Sequence, residues 1–252
     1  MESFISQLAR RNLIDPPLWV MPNLVCESIV GSHALGIPSD TSDVDLKCVC
    51  VPPAIFGGDA VCYQNHSVQV EGQDYDLNVQ SIGHFFRLCT ESDPITLWTL
   101  FNPPECVIYE TKAGSLIRES RDLFLHKGCY HEFMSYASTR WGVVLDENPR
   151  PGSSREQRIK VHGYDTKGAY HAVLILLAIK HLLSTGELDF RLNIDYLKAI
   201  RQGEIAQANV WDWMEEEAIE IAKAHEASKL PDGPDYVAIQ KLYLNCLEEH
   251  KQ

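Results

Sequence analysis

Residues 31–46 read GSHALGIPSDTSDVDL, and their reading decides the fold. The run Ser28-Ile29-Val30 precedes them and Lys47-Cys48-Val49-Cys50-Val51 follows, which predicts a strand, a turn with a short helical start, and a second strand. Asp43 and Asp45 stand two apart on that second strand. Period-two alternation sends both carboxylates to one face and Val44 and Leu46 to the other. Carboxylates so close repel one another unless a cation lies between them, and a hard divalent ion takes oxygen ligands while keeping room for water and phosphate. Mg²⁺, or Mn²⁺, is therefore the expected cofactor. Gly31 and Ser32 supply the complementary half, because close backbone approach and N–H and hydroxyl donors at a helix start suit an anion.

Working outward, Leu24 to Val30 is the first strand, and residues 4–13 before it have helical periodicity that Asp15-Pro16-Pro17 stops. After the second strand, Gly57-Gly58 marks a loop. Ser67 to Val79 is strand-like and broken at Glu71-Gly72-Gln73, as in a hairpin. On its returning arm Asp74, Asp76 and Asn78 share one face, opposite Tyr75, Leu77 and Val79. Ser81 is placed to cap a helix over 82–89. A further helix follows Asp93-Pro94, and a short strand covers 107–109. From there the pattern is helical, with helices expected around 114–125, 128–144, 165–185, 194–202, 209–228 and 234–250. Asn148 to Ser154, NPRPGSS, reads as a loop. The composition shift near residue 115 suggests two domains, 1–115 and 116–252, the second all-helical.

The chain has 252 residues and a hydrophobic fraction of 45%, enough for one large or two modest cores. No stretch approaches the roughly 18 consecutive apolar residues that a membrane helix needs, and Met1-Glu2-Ser3-Phe4 has no leader character, so a cytoplasmic protein is expected. The eight cysteines have no metal-ligand spacing and read as buried reduced thiols. Formal net charge is −13. That argues against a general nucleic-acid coat, whose affinity comes from counterion release, but not against an enzyme with a focused site.

A second cluster lies in REQRIK (155–160) and YDTKGAYH (164–171). Asp165 or Thr166 can cap a helix on which Lys167 and His171, four apart, share a face. Lys167 suits a triphosphate and Tyr164 could stack on a base. Arg140, Arg155, Arg158 and Lys160 are the candidate contacts for an RNA backbone.

A Gly-Ser pair followed after ten residues by Asp-x-Asp resembles the DNA polymerase β-type nucleotidyltransferase superfamily. That resemblance implies a third carboxylate from a neighbouring strand, for which Asp76 fits best and Asp74 is the alternative. GSHALGIPSDTSDVDLK, the later Asp-x₅-Ile-x₂-Phe, HKGCYHEFMSYA, GYDTKGAYH and TGELDF together resemble the RNA repair pathway DNA polymerase β (RlaP-like) family, from about residue 26 to about 245. Membership implies an α/β fold: an N-terminal polymerase β-type nucleotidyltransferase fold, a short mixed sheet with helices, then an all-helical C-terminal domain. It implies metal ligation by Asp43, Asp45 and Asp76 and a role in RNA end repair or modification. On this reading two Mg²⁺ ions promote attack of an acceptor hydroxyl on a nucleoside triphosphate (NTP), Gly31, Ser32, Lys167, Tyr164 and His171 bind that nucleotide, and the acceptor is an RNA 3′ end such as that of tRNA. The alternatives are a protein or small-molecule acceptor, and a nucleotide-binding module without turnover. The chain departs from the family pattern at Asp93, Trp98, Gly168 and Leu174, where asparagine, glutamate, histidine and arginine are usual.

Overall fold

The structure, a computed structural model, describes residues 2–39, 42–56, 61–146 and 148–251. The expected loop at Gly57-Gly58 lies outside the described residues. The chain divides into two compact units, Met1–Phe124 with Pro234–Gln252, and Leu125–Gly233. The first unit contains α1 (Phe4–Arg10), β1 (Leu24–Val30), the one-turn α2 (Gly31–Leu35), β2 (Val44–Cys50), β3 (Val61–Val70), β4 (Gln73–Ser81), α3 (Ile82–Thr90), α4 (Pro94–Leu100), β5 (Val107–Glu110) and α5 (Lys112–Glu119). The second contains α6 (Cys129–Leu145), α7 (Ser154–His162), α8 (Thr166–Thr185), α9 (Ile194–Arg201) and α10 (Gln207–Ala227), after which α11 (Tyr236–His250) returns to the first.

The sheet has the order β3-β4-β2-β1-β5. Only β2 and β4 run parallel; β1–β2, β1–β5 and β3–β4 are antiparallel. Glu71 and Gly72 both take positive φ (54° and 88°) and join β3 to β4 as the tight turn that an antiparallel pair favours. In the parallel pair Val44 meets Tyr75 and Leu46 meets Leu77, while Asp45 meets Asp76 and Lys47 meets Asn78. Alternation thus sorts the pair into an apolar and a polar face. The apolar face, Leu46, Cys48, Leu77 and Val79, packs with Ile5 and Leu8 of α1 in one core. Six of the eight cysteines are buried, and burial pushes the Cys48 and Cys89 thiols well up, as suits small apolar packing groups.

Glu27 of β1 is fully buried and serves α1 as a remote cap. The amides of Phe4 and Ile5, unsatisfied at a helix start, donate to its two oxygens at 2.6 and 2.9 Å. Burial raises its pKa above the ordinary 4.5, against those hydrogen bonds. Between 4.5 and the raised value the folded protein holds a proton that the unfolded chain has lost, so this group's contribution to stability falls as pH rises through that window. Glu27→Gln is expected to flatten that slope in urea titrations run at a series of pH values. An unchanged slope would refute the account.

In the second unit α8 packs against α6, α7, α9 and α10. It is long and apolar enough to cross a membrane by composition, yet most of its surface is buried inside the unit. The expected division at residue 115 is corrected. The boundary falls at 124/125, and the terminal helix belongs with the sheet. Ile239, Leu242 and Cys246 form its buried stripe; Cys246 Sγ donates to the Ala113 carbonyl (3.6 Å) and Tyr243 meets Phe86 edge-on (5.2 Å). An amphipathic stripe shows that a helix has a core to fill, not which core. The helix α7 was not foreseen; Ser153 caps it through the Glu156 amide.

Candidate active face and a cation cluster

The three candidate carboxylates come from two neighbouring strands. Asp45 is the second residue of β2 and pairs in register with Asp76 of β4; Asp43 immediately precedes β2. Asp74 pairs with Gln69 across β3–β4, two residues before Asp76 on the same face. Gly31 has φ +69°, and a Cβ built on it would lie 2.4 Å from Asp45 Oδ2, so the glycine is where the turn admits the carboxylate against the backbone. Ser32 is buried in α2, whose single turn ends at Gly36 in the left-handed region (φ 72°), with the Ile37 amide donating to the Ser32 carbonyl at 3.0 Å.

Side chains that the sequence did not single out position the acids. His33 Nε2 and Gln73 Nε2 both contact the Ser42 carbonyl, at 3.3 and 2.9 Å, fixing the backbone just before Asp43. Asp76 Oδ1 accepts from the Ser67 amide at 2.9 Å, and Oδ2 lies 3.5 Å from His66 Nδ1. Ser67 has φ 56° within an irregular stretch of β3 between Asn65 and Val68. That bulge aims an amide at the third carboxylate. Lys47, two residues after Asp45 on the same face, is held below the usual lysine range by burial, against the attraction of Asp93 and Asp45. Its spacing was legible; its burial was not.

The donor set suits a hard divalent ion, with carboxylate oxygens on one face and a backbone turn pressed against one of them. Asp43 and Asp45 would hold it. In the conformation described, Asp76 turns its oxygens to His66 and Ser67, and among the described residues no three acid, imidazole or thiol groups converge closely enough to share one ion.

The second unit places its candidates differently from the sequence reading. Tyr164 is 4% exposed and its hydroxyl donates to the Ile205 carbonyl at 2.7 Å; burial, then Tyr196, pushes its pKa up to about 12. An enclosed ring cannot be a stacking platform, so that expectation is corrected. Arg158 Nε donates to Asp165 Oδ1 at 2.8 Å, and Arg155 Nε lies 3.5 Å from Oδ2. Arg155 also donates to the carbonyls of Val143 and Asp146, closing the C-terminal end of α6. These two guanidinium groups hold the buried Asp165 rather than presenting themselves to an RNA. Lys160 is exposed and paired with Glu156 at 2.8 Å, while Arg140 is exposed with its guanidinium 4.7 Å above the Tyr136 ring. Lys167 is exposed. His171, one turn later, is driven down to a pKa of about 3 by burial, then by Lys167, Arg140, Arg201 and Arg158. Arg158→Ala should strand part of the Asp165 charge and cost about 2–3 kcal/mol, whereas Lys160→Gln should cost less than about 0.5. Equal losses in urea unfolding would contradict this assignment.

The four departures from the family pattern all sit at filled positions. Trp98 and Leu174 are core residues; a side chain at Gly168 would meet Val144 at 2.9 Å; Asp93 caps α4, accepting from Thr96 N at 2.8 Å.

Over 130 residues the chain is 34% identical to an uncharacterized 38.9 kDa protein of Enterobacteria phage T4, encoded in the nrdC-mobD intergenic region; the match covers 47% of this chain and 39% of that protein. A nucleotidyltransferase-like protein of Exiguobacterium sibiricum aligns over 91% of this chain and 69% of its own, with a TM-score of 0.34 and 11% identity. The model of the RNA repair pathway DNA polymerase beta family, RlaP, matches residues 20–244. With its Gly-Ser turn and its aspartates on one face of the sheet, the chain belongs to that family.

Proposed function

We propose that the protein is a divalent-ion-dependent nucleotidyltransferase that moves a nucleoside monophosphate from an NTP to a hydroxyl of RNA, with a tRNA 3′ end the favoured acceptor. The in-register pairing of Asp45 with Asp76, with Gly31 pressed on Asp45, carries this reading. A bound divalent ion, Mg²⁺ or Mn²⁺, would neutralise charge developing on the phosphates. Asp43 and Asp45 would hold that ion, and the turn at Gly31-Ser32 would present donors to the outer phosphates. Asp76, released from His66, would orient the acceptor hydroxyl and draw its proton. The acceptor oxygen bonds to the α-phosphorus, the bond to the bridging oxygen breaks, and pyrophosphate leaves. The family description supports RNA as the acceptor. The net charge of −13 favours a second reading, transfer to a protein or small molecule.

The test incubates the protein with Mg²⁺ and each α-labelled NTP, adding total tRNA or total cell protein, beside an Asp43→Ala/Asp45→Ala variant. Label on RNA that the variant fails to add supports the proposal and names the base. Label on protein supports the second reading. Bound nucleotide with no label on any acceptor would leave a binding module.

A further inference from the structure

The strand that leads into the Gly-Ser turn outruns its neighbour. β5 begins at Val107, opposite Ser28, so Ile29 and Val30 of β1 extend beyond it toward Gly31. A strand end without a partner leaves backbone groups to be satisfied in some other way. Here a side chain does it. Asn102 Nδ2 donates to the Ile29 carbonyl at 2.7 Å, although the two residues lie 73 apart in the sequence. Asn102 follows Phe101, the C-cap of α4, and precedes Pro103, which cannot continue the helix.

The bond sits two residues from the turn. Val30, extended at φ −128° and ψ −172°, pairs with Asp45, and Gly31 follows with its backbone pressed on the Asp45 carboxylate. Whatever fixes Ile29 therefore fixes the approach of Gly31 and Ser32 to that face. Packing alone does not call for an asparagine here. The residue is 1% exposed and its Oδ1 has no hydrogen-bond partner among the described residues, a cost that a leucine of the same branched shape would avoid. What the position uses is the donor on the other arm of the amide. Thr111 offers the comparison. It holds the far end of β1, where its Oγ1 and its amide both donate to the Val25 carbonyl, at 3.0 and 2.9 Å. Both residues brace one strand, but only Asn102 does so beside the turn.

We propose, resting on the nucleotidyl-transfer reading, that Asn102 is a positioning residue for nucleotide binding. Through the Ile29 carbonyl it sets the Gly31-Ser32 turn where the outer phosphates of an NTP meet it.

The test measures initial rates of the full chain with Mg²⁺ and the NTP that labels an acceptor, each substrate varied in turn, well below every melting midpoint. Asn102→Leu, which fills the space and removes the donor and the orphan acceptor together, should raise KM for the NTP about tenfold, with kcat and the acceptor KM within about twofold of the parent. Asn102→Ala, which leaves a cavity instead, should raise that KM alike. With the acceptor omitted, calorimetry should show the same factor in nucleotide affinity. Thr111→Val loses a bond to the same strand and the cap of α5, so it should lower the melting midpoint and leave both KM values unchanged. A purely structural bond would move the melting point and spare the KM. Parent-like KM and affinity for the NTP in either asparagine variant, or an equal rise in Thr111→Val, would overturn the proposal and leave the transfer reading in place. A parent protein that labels no acceptor would remove the transfer reading, and the assignment of Asn102 with it.

Discussion

Asp43→Asn is expected to cut nucleotidyl transfer by about 10³-fold or more, while leaving stability in EDTA within about 0.5 kcal/mol of the parent. Asp43 is exposed just ahead of β2, so its loss removes a site for cation and no packing. Asp45→Asn should match the rate loss and differ in stability. Asp45 is one of two acids acting on the half-buried Lys47, and its neutralisation leaves Asp93 as the other, at a cost of about 1 kcal/mol. The stabilisation that Mg²⁺ gives by binding the folded chain should vanish in both variants. Initial rates beside calorimetric melts with and without Mg²⁺ measure all three quantities. Full transfer by either variant would remove the carboxylates from the mechanism.

Gly31→Ala should be damaging in a different way. Positive φ at a residue with a Cβ costs about 1 kcal/mol, and here the Cβ must also displace a carboxylate oxygen 2.4 Å away. A loss of about 2 kcal/mol in stability and about 10²-fold in rate is expected, since small misplacements of a reacting group are that costly. Gly36→Ala is the control. Its φ is also positive, at 72°, but no atom lies within 4 Å of the added Cβ. It should show the strain with the rate kept. If the two variants lose rate alike, close approach to Asp45 is not what Gly31 provides.

What the sequence made legible follows from periodicity. Alternation placed Asp45 and Asp76 on strand faces, while Asp43, expected on the same strand, stands one residue ahead of β2; the tight turn at Glu71-Gly72 showed where the hairpin reverses. The parallel register that sets Asp45 beside Asp76 depends on chain crossing through β3, which no local pattern encodes. His66 and Ser67 stayed hidden for a related reason: they reach Asp76 from an irregular stretch, where alternation fails. Arg155 and Arg158 were misread because α7 has no fully buried residue, so its composition resembles a solvated face. The acid that draws them inward, Asp165, lies on the next segment. Tyr164 was misread likewise, since an aromatic residue beside a cationic motif reads the same whether its ring is open or enclosed.

The return of α11 to the sheet sets an order of events during synthesis. Residues 125–233 leave the ribosome as one uninterrupted segment with its own core, whereas the unit that bears the aspartates needs both Phe4–Arg10 and Tyr236–His250. Translation at about 5–20 residues per second separates Phe124 from Pro234 by roughly 5–20 s. During that interval the sheet is made but lacks its last helix, and the buried stripe of α5 and Phe86 that α11 covers stays open to chaperones. The helical unit can mature first, while α3 and α5 wait for α11 to cover them.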